Sequence, residues 1–203
     1  MKIKYYENDL PENLDLGSIV AIDSETMGLN PARDRLCLVQ LSSGNGVCHL
    51  VKIIDLRKKP KNLLKLLNNS KVQKIFHFAR FDVAVLKHTY KVNIKNIYCT
   101  KIASKLIRTY TDRHGLKELC KELINIDISK QKQSSDWGNE DLSHEQLKYA
   151  ASDVLYLHKI KYELDIILER ENRQELAETL FKFIGTRAYL DLNGWHEPDI
   201  FSH

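Results

Sequence analysis

Apolar residues follow two different rhythms along the chain. In the first half they come in short runs closed by turn residues. Ile19 to Ser24 reads as a buried strand that ends in the turn Met27-Gly28-Leu29-Asn30-Pro31. Leu36 to Ser42 alternates apolar and polar as a second strand. Val47 to Val51 follows the turn Ser43-Gly44-Asn45-Gly46, so the three predict an antiparallel meander. Pro60 to Leu67 predicts a short helix. Lys74 to Phe78 predicts another strand, running into a helix from Phe81 to about Tyr90. Ile97 to Cys99 is a short strand, followed by helices near Lys101 to Arg108 and Leu116 to Leu123.

The second half is helical. From Ser143 to Arg170 the residues Leu147, Ala150, Ala151, Val154, Leu155, Leu157 and His158 recur at helical spacing. Ser143 with Gln146 three residues on forms a capping box. The Asn172 region interrupts the pattern before a last helix to about Tyr189. Strands first, then a β-α alternation, then helices predict one mixed α/β domain over 1–189. Leu190 to His203 is left as a tail carrying Trp195, Pro198 and Phe201. Trp195 and Phe201 suit docking either on their own domain or on a neighbouring subunit.

Composition narrows the class. The 203 residues are 43% hydrophobic and 29% charged, which suits a folded soluble domain rather than a disordered chain. No apolar run approaches a membrane span, and Met1 to Glu7 has no apolar stretch of a secretory leader. Cys37, Cys48, Cys99 and Cys120 form no C-x-x-C pair and read as buried thiols. A reducing, cytoplasmic location is expected. Lys and Arg exceed Asp and Glu by 31 to 27, a net +4 that is compatible with nucleic acid without demanding it. The run Arg57-Lys58-Lys59-Pro60-Lys61 reads as a solvated loop.

The candidate chemistry is carboxylate chemistry. Asp23 and Glu25 end the first core strand and, two apart, share one face. At about 5 Å and an effective dielectric near 20, two such charges repel by roughly 3 kcal/mol. Alone, the pair also reads as a strand end turning to solvent. Asp82 follows the next core strand, and alone it reads as an acid in a helix N-terminal turn. Tyr149 and Asp153 share a helix face across the small residues Ala150, Ala151 and Ser152. Alone, they read as the outer face of an amphipathic helix, although Asp153 sits among apolar neighbours. Taken together, four acids on three elements call for cations. Oxygen ligands without cysteine suit two hard divalent ions, Mg²⁺ or Mn²⁺, and paired hard ions suit in-line displacement at phosphorus.

Asp23-Ser24-Glu25-Thr26, His77 through Asp82 and Tyr149 through Asp153, in that order, resemble the three motifs of the DEDD family of 3′–5′ exonucleases. They match its Tyr-bearing branch, to which RNase D belongs. Several further segments are similar to the nanoRNase C group, small RNase D-like enzymes that cleave dinucleotides. They are Arg33 to Gly44, Lys74 to Asp82, Cys99 to Ser104, Thr109 to Lys117, Ser134-Ser135-Asp136-Trp137, and Gly194 to Phe201.

The resemblance implies an RNase H-like fold with the acids at one end of a mixed sheet. It implies that Asp23, Glu25, Asp82 and Asp153 hold two metals and that Tyr149 orients the attacking water. Thr26 would meet the terminal nucleotide, Leu29 would wedge against bases, and His77 and Phe81 would line the nucleotide pocket. A satisfied core histidine is the other reading of His77. The resemblance also implies a homo-oligomer, a ring-shaped octamer. Many family members carry Asn where Phe78 stands, which leaves a contact from that position unsupported. RNase D itself carries extra helical domains, whereas here only a short tail follows Tyr189. Short RNA, dinucleotides foremost, is therefore the expected substrate.

A 5′-phosphate pocket would let a short strand be recognised as short. Arg113, just ahead of a helix, is the leading candidate, with Arg108, His114, Lys130 and Lys132. A loop of solvated bases is the other reading. The open alternatives are a broader exonuclease acting on longer RNA or DNA ends, and a non-catalytic nucleic-acid-binding module.

Overall fold

The computed structural model describes residues 1–128, 135–197 and 200. One six-stranded sheet, ordered β1-β4-β3-β2-β5-β6, forms the centre. Its strands are β1 (Lys2–Glu7), β2 (Ile19–Thr26), β3 (Leu36–Ser42), β4 (Val47–Lys52), β5 (Gln73–Phe76) and β6 (Ile97–Cys99). The helices are α1 (Lys61–Asn68), α2 (Ala79–Tyr90), α3 (Thr100–Ile107), α4 (Leu116–Ile124), α5 (His144–Leu155), α6 (Leu157–Arg170) and α7 (Gln174–Leu192).

The predicted meander is present: β2 pairs antiparallel with β3, and β3 with β4. The sheet is mixed because β5 and β6 add to β2 in parallel, and β1 adds to β4 in parallel. β1 was not foreseen. It is an edge strand whose Lys2, Lys4, Tyr5 and Glu7 stay in solvent or nearly so, and it lacks the apolar alternation of a half-buried strand. β3, read as alternating, is buried at all seven positions. Both its faces are covered, by α5 on one side and α2 on the other.

Two boundaries differ from the sequence pattern for local reasons. β5 ends at Phe76 rather than Phe78, because Phe78 adopts a left-handed backbone (φ 68°, ψ 44°) that stops the strand and starts α2 at Ala79. The long periodic segment bends at Tyr156 into α5 and α6. α5 lays Ala150, Ala151 and Val154 on the sheet, while α6 lays Leu157, Ile160, Leu164 and Leu168 against α3 and α4. A single straight helix does not present both faces to both partners. The capping box forms as predicted: Ser143 Oγ accepts from the Gln146 amide, and the Gln146 side chain accepts from the Ser143 amide.

α7 packs on α2 and runs to Leu192, three residues beyond the predicted end. Near its end Asp191 accepts from Arg80 at 2.6 Å and pairs with Arg187 at 3.1 Å. Arg187 and Arg80 also donate to the carbonyls of Trp195 and His196, which ties the start of the tail to its own domain. Pro198 and Phe201 lie outside the described residues. No helix among the described residues is long and apolar enough to cross a membrane. All four cysteines are buried and unbridged.

Candidate active site

The site forms where β2 leaves the core. Strand alternation turns Asp23 and Glu25 to one face and Ser24 to the other. A register irregularity at Glu25/Thr26 re-aims the strand end as it opens into the turn. α5 approaches this face closely because Ala150 and Ala151 are fully buried against the sheet. That approach carries Asp153 to the pair: Asp23, Glu25 and Asp153 offer carboxylate oxygens all within 4.8 Å of one another. Asp82, in the first turn of α2, is buried beside Asp23. It reaches β2 through Ser24, whose hydroxyl donates to Asp82 Oδ1 at 2.6 Å. Ser24 thus locks the α2 acid to the strand that bears the other two.

The electrostatics are those of acids awaiting positive charge. Burial pushes Asp23 up to about 7. Burial, then Asp23, Asp153 and Asp82 nearby, push Glu25 up to about 10. Burial and then Asp23 raise Asp82 well above the ordinary carboxylate range. The Gln40 amide bridges the first pair, donating at 3.3 Å to Asp23 Oδ2 and 3.4 Å to Glu25 Oε1. Burial and the charges of Asp153, Glu25 and Asp23 raise the Tyr149 phenol, which is hydrogen-bonded to Asp153. These oxygen donors fit hard divalent cations, which would relieve the repulsion that now raises the carboxyls.

The acids line a cleft of about 660 Å³. Thr26, Leu29, His77 and Phe81 line it too. Leu29 is 89% exposed at the tip of its turn. That turn closes tightly: the Thr26 hydroxyl donates to the Gly28 carbonyl, and a Cβ at Gly28 would overlap the Asp34 carboxylate. His77 is half-buried with Nδ1 at 2.9 Å from Thr100 Oγ1. Thr100 donates its own proton to the Phe76 carbonyl at 3.2 Å, which makes its oxygen the acceptor for a hydrogen on His77 Nδ1.

The phosphate candidates fare differently. Arg113 is exposed, and it is not among the residues lining the cleft. Arg108 is buried and spent on Glu122, Ser104 Oγ and the Arg113 carbonyl. His114 is buried on Ser104. Lys130, Lys132 and Ser134 lie outside the described residues.

Among the described residues the cations that line the cleft are Lys101 and Lys117, which sequence reasoning did not single out as binding residues. A lysine on a helix carries the same pattern whether it faces solvent or substrate. Trp137 was also missed as a support. Its buried ring packs 6.1 Å from that of Tyr149, and the nearly inaccessible Lys52 ammonium donates to the carbonyls of Trp137 (2.8 Å) and Asn139 (2.6 Å).

A family model described as 3′–5′ exonuclease matches residues 5–169. The chain belongs to this 3′–5′ exonuclease family. Within it the chain is RNase D-like, of the nanoRNase C kind. NrnC of Brucella melitensis, in a structure with bound Mg²⁺, is 56% identical with a TM-score of 0.94, and each chain is covered over 100% of its length. The same protein bound to pGG is 57% identical with a TM-score of 0.96, covering 100% of this chain and 99% of that one. Ribonuclease D of Gluconacetobacter diazotrophicus is 32% identical over 80% of this chain and 41% of its own length. The chain spans less than half the length of the ribonuclease D relatives it matches. RNase D of Escherichia coli shares the fold, with a TM-score of 0.74 at 22% identity over 84% of this chain and 45% of that one. The architecture is thus the RNase H-like one expected from the motifs.

Proposed function

We propose that the chain is a metal-dependent 3′–5′ exoribonuclease that releases nucleoside 5′-monophosphates from short RNA, dinucleotides foremost. One observation carries this reading: three carboxylates converge within 4.8 Å at a sheet end, with Asp82 beside them and Tyr149 hydrogen-bonded to one of them. Asp23, Glu25, Asp82 and Asp153 would hold two divalent ions, Mg²⁺ or Mn²⁺. Those ions would supply Lewis-acid activation of water and charge neutralisation at the phosphate and the leaving 3′ oxygen. Tyr149, hydrogen-bonded to Asp153, would orient the attacking water. Gln40 spaces Asp23 and Glu25, and Ser24 fixes Asp82. Thr26, Leu29, His77 and Phe81 would seat the terminal nucleotides. The resemblance to NrnC, a protein whose structure is known with pGG bound, supports short substrates.

Arg113, though outside the cleft lining, stays a candidate for the 5′ phosphate through what a second copy would add. The described cleft itself offers Lys101 and Lys117. A homo-oligomer, ring-shaped as the resemblance implies, is proposed on the same basis, supported by the exposed Trp195 and Ile200 of the tail. A cytoplasmic location is proposed with the four unbridged cysteines in support.

The test uses pure protein, Mg²⁺ and 5′-labelled RNA from two to roughly twenty nucleotides, a length series that samples one to many contacts. Dinucleotides cut far faster than longer strands are the expected result. Rates flat or rising with length would make the protein a general trimming exonuclease of RNA or DNA ends. Binding without cleavage at any length would make it a binding module.

A further inference from the structure

Phe78 stands in a backbone conformation that a bulky side chain rarely adopts, with φ 68°. Among the described residues the other non-glycine left-handed positions are four asparagines and Lys91. Asparagine takes that conformation with little strain. An aromatic ring there is therefore retained for something other than backbone geometry. Core packing does not supply the reason, because the ring is 44% exposed.

Its surroundings supply one. The ring lines the acid-bearing cleft. It also lines a second pocket of about 350 Å³, built on Ile102, Leu180, Phe183 and Ile184. The Lys101 ammonium lies 4.3 Å from the ring centroid and also borders both cavities. Arg80, Lys105 and Arg187 complete the rim of the second pocket, and Arg187 Nη1 is buried there without a hydrogen-bond partner. Asp191 pairs with Arg80 and Arg187 among these cations. An exposed π-face flanked by positive charge matches a planar base joined to a phosphate.

We propose that Phe78 is a stacking platform for a nucleobase of the RNA substrate, on the ring face opposite Lys101, with Lys101 holding positive charge beside the adjoining phosphate. The proposal rests on the exonuclease reading above and adds a base-binding surface to it. It also accounts for the strained backbone: the strain holds the ring out across the mouth of the cleft, where an αL asparagine would leave a gap.

The experiment uses the full chain with Ca²⁺, which occupies oxygen sites with loose geometry unsuited to the in-line reaction. The probe is a two-nucleotide RNA carrying 2-aminopurine, whose fluorescence falls on stacking, placed in turn at either position. The wild type is expected to quench the probe at one of the two positions. Phe78→Asn should abolish that quenching and raise Kd roughly tenfold to a hundredfold. Phe78→Trp should restore both. The thermal midpoint of Phe78→Asn should equal or exceed that of the wild type, since Asn relieves the left-handed strain. Unchanged quenching and Kd in Phe78→Asn would overturn the proposal while leaving the exonuclease reading intact. Failure of the wild type to bind the probe at all, with no Mg²⁺-dependent cleavage, would overturn the exonuclease reading and this one with it.

Discussion

Replacing Asp23 by asparagine should stabilise the metal-free fold while removing its response to metal. Asp23 is raised to about 7 in the folded protein, against an ordinary value near 3.9. The folded state therefore keeps a proton that the unfolded chain has already lost. Its contribution to stability is greatest below pH ~4 and falls as pH rises toward ~7. A gap of about three units corresponds to a ceiling of about 4 kcal/mol of lost stability above pH ~7. Asp23 keeps part of its surface open to the cleft, so water screens it, and the realised difference is about 1–3 kcal/mol. Asparagine keeps the shape and an oxygen for Gln40 but carries no charge. For a domain of this size each kcal/mol moves the midpoint by about 2–4 °C.

The assay is thermal unfolding in a chelator at about pH 8 and about pH 4.5, then with Mg²⁺ at the higher pH. Asp23→Asn should melt higher than the wild type at the higher pH by about 2–12 °C. The gap should narrow in acid. Mg²⁺ should then raise the wild type, by mass action on the folded state, far more than the variant. A variant that melts no higher at the alkaline pH, or whose advantage is the same in acid, would refute the argument that uncompensated burial strains this site.

Three further perturbations separate chemistry from support. Tyr149→Phe should lower kcat by about 10²-fold with little change in KM, because it removes a water-orienting hydroxyl and keeps the ring that packs on Trp137. Steady-state kinetics checks this. Ser143→Ala removes the cap of α5 and should cost about 1 kcal/mol in denaturant unfolding, with the metal response preserved. Lys52→Met should strip the Trp137 and Asn139 carbonyls of their shared donor, costing about 2 kcal/mol of stability. It should also loosen the Trp137 wall behind Tyr149, read as a fall in kcat and a shift of Trp137 fluorescence.

The parts of the fold legible in the sequence are those whose cause is local. The runs at Ile19, Leu36 and Val47 announce the meander because apolar alternation and turn residues act over a few positions. Asp23 with Glu25, and Tyr149 with Asp153, are legible as pairs because strand and helix periods place them on one face. Their meeting is not local. It depends on α5 closing on the sheet through Ala150 and Ala151, and the order of the three motifs is what anticipated it. The Ser24 link to Asp82 spans 58 positions and leaves no periodic trace. β1 escaped because its partner supplies its hydrogen bonds and its own side chains stay polar. The bend at Tyr156 escaped because two apolar faces of one periodic run serve two different partners. Arg113 shows the limit of a local signal, because a base ahead of a helix reads the same whether the helix end faces substrate or solvent, and here it stays outside the lining of the described cleft.

The most direct test of the central claim follows the first product released from a 3′-end-labelled RNA of a few nucleotides, with Mg²⁺, by the wild type and by Asp153→Asn. The account predicts immediate release of a labelled nucleoside 5′-monophosphate by the wild type, none in a chelator, and none from Asp153→Asn, whose fold should persist. Internal cleavage, release from the 5′ end, a 3′-phosphate product, or wild-type turnover in Asp153→Asn would contradict it.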